Sequence, residues 1–124
     1  MVNRDVRLVL WSDANFSGRR IVFRRGGVAI RDLRAFQYND VLSSFRLTNL
    51  VQRSQVTLVL FRDINFQGPF RVFRGSQSVA NLTNFNFNDQ TSSLILVGRR
   101  LTNFQINRIR NTGIAPRDIL IIRQ

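Results

Sequence analysis

A chain of 124 residues, 44% of them hydrophobic and eleven of them phenylalanine, is long enough for one domain with a true core and too apolar for disorder. All nineteen basic residues are arginine and all seven acids aspartate, for a net charge of +12, while histidine, cysteine, lysine and glutamate are absent. That inventory removes a disulfide framework and thiolate or imidazole metal sites, and it leaves so few groups suited to acid–base work near neutral pH that the chain reads as a non-enzyme.

The charge draws the protein towards acidic partners, although the arginines are scattered as singles and pairs rather than gathered in one run. No stretch approaches the roughly 18 consecutive apolar residues of a membrane span. Residues 1–13, MVNRDVRLVLWSD, lack the long apolar core and the small-residue cleavage site of a signal peptide, which favours a cytoplasmic or coat-associated protein.

In chain order, residues 6–11 are rich in branched and aromatic side chains and predict a first strand, and residues 21–23 predict a second. Gly18 lies between them and Gly26–Gly27 follows; these are positions where positive φ is expected. Residues 28–35 have room for one helical turn, and no window shows sustained helical amphipathicity. The polar hexapeptide NDVLSS, residues 39–44, leads into a strand at 44–47. After a linker around residues 48–55 the pattern returns: strands at 56–61, 71–73 and 93–97, a turn glycine at Gly68, and the hexapeptide NDQTSS at residues 88–93.

This is an internal repeat. Residues 8–24, LVLWSDANFSGRRIVFR, overlie residues 58–74, LVLFRDINFQGPFRVFR, with ten of seventeen positions identical. Residues 33–44 then match 82–93 after a one-residue shift. Each unit is too small to bury its apolar face alone, so the two should pack on each other about a pseudo-twofold axis. Four short strands per unit with turn signals between them predict an all-β sandwich of two Greek key motifs.

The residues Trp11-SDAN-Phe16-Ser-Gly18 and Phe61-RDIN-Phe66-Gln-Gly68 resemble the folded first hairpin of the βγ-crystallin Greek key. Each is followed by that family's calcium signature: two Asn/Asp residues, two variable residues, Ser/Thr, then Ser. Asn39 to Ser44 and Asn88 to Ser93 both match it in full. The resemblance covers about residues 6–97 and implies a βγ-crystallin domain over 1–100, with Greek key 1 at about 6–47 and Greek key 2 at about 56–97.

It also implies two calcium sites, each crossed between the units. One would use the Ser12 carbonyl and Asp40 carboxylate with the Gln90 carbonyl and Ser92 hydroxyl. The other would use the Arg62 carbonyl and Asp89 with the Val41 carbonyl and Ser43. Asn39 and Asn88 would brace the loops, and Ser44 and Ser93 would tie each hairpin to its sheet. Microbial members of the family serve as stress or spore-coat proteins and vertebrate members as structural lens proteins, so the implied role is structural and protective.

The chemistry of the hexapeptides agrees with this on its own terms. Calcium takes six to eight hard oxygen ligands and accepts carbonyl, hydroxyl, carboxylate and water together. A short loop with one carboxylate, a carbonyl and a hydroxyl supplies three of these, and with one carboxylate per site and a basic chain, dissociation constants of roughly 10⁻⁵ to 10⁻³ M are expected. Asn-Asp pairs are also ordinary turn formers, and paired aspartates occur in glycosidases and aspartic proteases; the repeat explains them better as loop ligands. Trp11, Phe16, Phe61 and Phe66 are read as hairpin packing rather than as a stacking platform for bases or sugars.

Residues 101–124 lie outside the resemblance. Their apolar run 119–122, after a turn at 113–116, predicts a further strand. Covering a sheet edge of the same chain is the default for it, with pairing to a second copy or docking on a partner as alternatives. An arginine-rich binding module for an acidic partner, polyanion or protein, on a crystallin-like scaffold is the second functional reading. The chain is expected to be a monomer or a weak homo-oligomer through this C-terminal segment.

Overall fold

Each unit opens with an antiparallel hairpin, β1 (Val6–Asp13) with β2 (Ser17–Phe23) and β5 (Thr57–Asp63) with β6 (Gln67–Arg74). The chain is seen here as a computed structural model that describes residues 6–23, 27–36, 42–49, 54–85, 87, 91–113 and 120–122. The second strands are longer than the sequence pattern suggests, because their polar halves still pair along the ladder. The third strands, β3 (Gly27–Ile30) and β7 (Gln77–Val79), are each followed by a short 3₁₀ turn, Leu33–Phe36 and Leu82–Phe85. The last strands of the units are β4 (Ser44–Asn49) and β8 (Ser93–Val97).

The third strands change places. One sheet has the order β2-β1-β4-β7 and the other β6-β5-β8-β3-β9, where β9 is Leu120–Ile122, so β3 of the first unit pairs with β8 of the second, and β7 of the second pairs with β4 of the first. Each unit therefore completes the other's sheet, and neither can fold alone without leaving a strand edge unpaired. Between the sheets lies a continuous apolar layer that includes Leu8, Leu10, Phe45, Leu58, Leu60, Phe73 and Leu96. Phe45 and Phe73 meet edge to face across it, with ring centroids 4.8 Å apart.

Two local features differ from the expectations. Residues 28–30 form a strand that was not expected, and the one helical turn expected within 28–35 lies at the end of that span, as the 3₁₀ turn Leu33–Phe36. Val28 and Ile30 face the layer between the sheets while Ala29 faces a second apolar cluster, so both faces are covered and the alternation that marks a strand is lost. Gly18 and Gly68 have the positive φ expected of them, at 86° and 80°, while Gly26 lies outside the described residues.

The second difference is a helix, α1 (Asn103–Thr112), in the segment read only as turn and strand. Thr102 caps it: its hydroxyl accepts from the Gln105 N–H, and the Gln105 side chain accepts from the Thr102 N–H. Gly113, at φ 67°, ends it with its N–H donating to the Ile109 carbonyl at 2.7 Å. Ile106 and Ile109 pack with Leu101 onto Val59, Phe61, Phe66, Ile95 and Val97, closing the outer face of the β5-β8 sheet. Arg74 fixes the approach to the helix, donating to the Leu101 carbonyl at 2.9 Å and the Asn103 side chain at 2.7 Å. After the helix, β9 (Leu120–Ile122) adds to β3 in parallel and covers that edge within the same chain.

Candidate metal centre

The first hairpin of each unit is folded by the same device. Asn15 and Phe16, like Asn65 and Phe66, have φ between 58° and 61°. That left-handed conformation costs of order 1 kcal/mol for each residue with a side chain, so something must hold it. The last serine of each hexapeptide does so. The Ser44 hydroxyl donates to the Asp13 carbonyl at 2.6 Å and accepts from the Phe16 N–H at 3.1 Å. Ser93 makes the same two bonds to Asp63 and Phe66, at 2.6 and 3.1 Å. The tying role expected of both serines is thus present in the geometry.

Inside the fold the aromatic pairs meet edge-on, Trp11 with Phe16 at 5.2 Å and Phe61 with Phe66 at 5.7 Å. Only the second pair is fully buried, under α1. At the turn, a Cβ on Gly68 would lie 2.5 Å from the Asp63 carboxylate, and one on Gly18 would collide with Ser12 and Asp13. The spacing of aromatic and glycine is therefore steric as well as conformational.

Each ladder shifts register at the site. The β1–β2 register passes from Trp11↔Arg20 to Asp13↔Ser17, and the β5–β6 register from Phe61↔Phe70 to Asp63↔Gln67. Ser12 and Arg62, the two expected to offer carbonyl ligands, therefore stand opposite two residues each, Gly18–Arg19 and Gly68–Pro69, at a bulge where one-to-one pairing is interrupted. The Ser12 hydroxyl is occupied, accepting from the Arg19 N–H at 2.8 Å.

Ser43 and Ser92 are buried, at 5% and 6% exposure. The Ser43 N–H donates to the Trp11 carbonyl at 3.1 Å and the Ser92 N–H to the Phe61 carbonyl at 2.9 Å. These bonds set Ser43 beside Ser12 and Ser92 beside Arg62. Backbone bonds cross between the units at the same points: the Ser43 carbonyl accepts from Leu82 of the second unit, and the Ser92 carbonyl from Leu33 of the first, at 2.9 and 2.8 Å. Likewise Asn15 donates to Ala80 and Asn65 to Arg31, at 2.7 and 2.8 Å. Each loop end is thus a junction of both units. Asp40, Val41, Asp89 and Gln90 lie outside the described residues. The donors that are described are oxygen only, which suits a hard cation and not zinc or a redox metal.

Beside these junctions sit two caps that the motif reading passed over. The Asp32 carboxylate accepts from the Arg34 N–H at 3.0 Å, and the Asn81 side chain accepts from the Thr83 N–H at 2.9 Å, each opening a 3₁₀ turn. Asp32 also takes the Arg34 guanidinium at 2.6 Å, and that hydrogen bond, more than backbone or charge effects, holds its carboxyl below the ordinary carboxylate value.

Solved structures share this fold. A structure described under the evolution of the eye-lens βγ-crystallin domain fold is 27% identical, with a TM-score of 0.64 over 76% of this chain and 87% of that one. The chain has the fold of the βγ-crystallin family. A βγ-crystallin domain from Flavobacterium johnsoniae is 25% identical, with a TM-score of 0.55 over 77% of this chain and 98% of its own. One from Clostridium beijerinckii, 18% identical with a TM-score of 0.57, covers 73% of this chain and 97% of its own, a likeness of fold alone. Comparison with protein-family profiles gives no match, nor does comparison with curated proteins. About a quarter of this chain lies beyond each matched βγ-crystallin domain, a share close to that of the segment after β8.

Proposed function

We propose that this βγ-crystallin domain is a non-catalytic, calcium-binding structural protein whose ions stabilise it under stress. The observation that carries the reading is the repeated junction at the loop ends. In both units a buried serine of the calcium signature lies beside the residue at its hairpin's bulge, Ser43 by Ser12 and Ser92 by Arg62, with a backbone bond to the other unit at the same point.

At each junction the proposed ligands are one carboxylate, Asp40 or Asp89, one hydroxyl, Ser43 or Ser92, and carbonyls drawn from Ser12, Arg62, Val41 and Gln90, with water filling the remaining positions. A bound calcium ion would supply charge and coordination that hold the two units at one point. It would bind the folded chain and not the unfolded one, and so raise stability by mass action. The net charge of +12 weakens the attraction, in keeping with sites of modest affinity.

Calorimetric titration of the protein with calcium tests this. The expected result is two equivalents bound in the range of roughly 10⁻⁵ to 10⁻³ M, falling to one in Asp40→Ala. Absence of heat up to about 10 mM calcium, well above that range, would overturn the reading.

A further inference from the structure

The two sheets are built alike, and their outer faces are treated in opposite ways. On the β5-β8 sheet the outward positions Val59, Phe61, Phe70, Ile95 and Val97 are apolar, and α1 covers them. The positions in register on the first sheet are Val9, Trp11, Arg20, Arg46 and Thr48, and no element covers them among the described residues. Thr57, which anchors the approach to α1 by accepting from the Leu101 N–H and donating to the Arg99 carbonyl, is matched by Arg7.

Arg7, Arg20 and Arg46 are exposed, and among the described residues neither the Arg7 nor the Arg20 guanidinium has a hydrogen bond or an ion pair. Between them lies a depression of about 230 Å³ with Val9, Trp11 and Thr48 in its lining. A second depression of about 450 Å³ shares Arg46 and Thr48 and reaches Ser76 and Ser78. Together they run across the sheet from β2 to β7. Arg46 stands at the junction, donating to the Ser78 hydroxyl at 3.3 Å with its guanidinium carbon 5.1 Å from the Phe16 ring centroid.

We propose that this face binds single-stranded nucleic acid. An open trough shared between two depressions suits a polymer, whereas a small molecule is held in an enclosed pocket. The guanidinia match a phosphate backbone, and the partly exposed ring of Trp11 in the lining of the smaller depression matches a base, which presents a π-face at every nucleotide. An acidic peptide brings charge without the ring. A duplex hides its base faces, and a flat sheet does not enter its grooves.

Trp11 is the chain's single tryptophan, so its fluorescence reports this face alone. Titration of the whole protein with an oligodeoxythymidylate strand is expected to quench it, with an affinity that falls steeply between about 50 and 200 mM salt. Arg7→Gln/Arg20→Gln should lower the affinity about tenfold and reduce the slope of log affinity against log salt by about 1.4, at roughly 0.7 per phosphate contact. Arg100→Gln/Arg108→Gln removes equal charge from an exposed region elsewhere and should change both far less. Equal losses in the two pairs would reduce the binding to bulk charge. Equal quenching by polyglutamate would make this a peptide-binding face, and no quenching at low salt would leave no such site; each of the three overturns the proposal.

Discussion

Replacing Ser93 by alanine removes one hydroxyl that serves two backbone groups, the Asp63 carbonyl at 2.6 Å and the Phe66 N–H at 3.1 Å. Ser93 has no exposed surface, and Phe66 is 1% exposed beneath α1, so water cannot take the place of the lost oxygen without moving the helix. Two buried groups left unpaired cost about 1–3 kcal/mol each, and relaxation of the hairpin recovers part of that, for a net loss of about 2–4 kcal/mol. At this chain length, about 4 °C per kcal/mol makes the loss about 8–16 °C in Tm. Ser44→Ala breaks the same pair of bonds in the other unit, where Ser44 is as buried as Ser93, but Phe16, unlike Phe66, is only partly buried, which leaves more room for the hairpin to relax. The expected loss there is about 1–2 kcal/mol. Urea and thermal melts of the two variants measure the difference. A Ser93→Ala variant within about 0.5 kcal/mol of the parent, or a Ser44→Ala variant hit harder than Ser93→Ala, would refute the reasoning.

Two further outcomes follow from the packing and the caps. Ile106→Ala should cost about 2–4 kcal/mol by opening a cavity between α1 and the sheet, while Phe104→Ser, at a side chain 75% exposed, should stay within about 0.5 kcal/mol; denaturant melts separate them. Because Arg34 holds the Asp32 carboxyl below its ordinary value, the stability that pair contributes is present above about pH 4, the unfolded value, and is lost as pH falls through the folded one. Asp32→Asn keeps the cap, as Asn81 does in the second unit, so the stability gap between parent and variant, small because the Arg34 guanidinium is exposed, should shrink as pH falls below about 4. A gap that stays constant or widens across that range would contradict it.

Much of the fold was legible because the repeat made each signal count twice. A single aromatic-aromatic-glycine spacing is weak, but Trp11, Phe16 and Gly18 returning as Phe61, Phe66 and Gly68 fixed where the hairpins lie, and Ser44 and Ser93 proved to be their ties. What escaped was whatever the repeat does not share or a short window cannot encode. β3 was missed because Val28, Ala29 and Ile30 are buried from both sides and show no alternation. The exchange of β3 and β7 between sheets is a matter of long-range pairing that no local pattern carries.

For α1 the signal was present. Thr102 and Gln105 form a capping box, Gly113 is the stop, and Leu101, Ile106 and Ile109 make the apolar stripe. The stripe is narrow, and exposed Phe104 blurs its period. At the candidate metal centre the serines and their crossing contacts are described, and the loop residues Asp40, Val41, Asp89 and Gln90 are not. The contrast between the covered and the open sheet face could be read only once register was known, because Arg20 and Phe70, or Arg46 and Ile95, are equivalent by position and not by type.

The central claim, that calcium at the two junctions holds the units together, is tested most directly by thermal melts in calcium and in chelator. With free calcium about 100-fold above Kd, each filled site adds about 2.7 kcal/mol, so the parent should gain about 5 kcal/mol, or about 20 °C, over its chelated form. Asp40→Ala/Asp89→Ala should gain almost nothing. An unchanged Tm for the parent at millimolar calcium, or an equal rise in the double variant, would contradict the account.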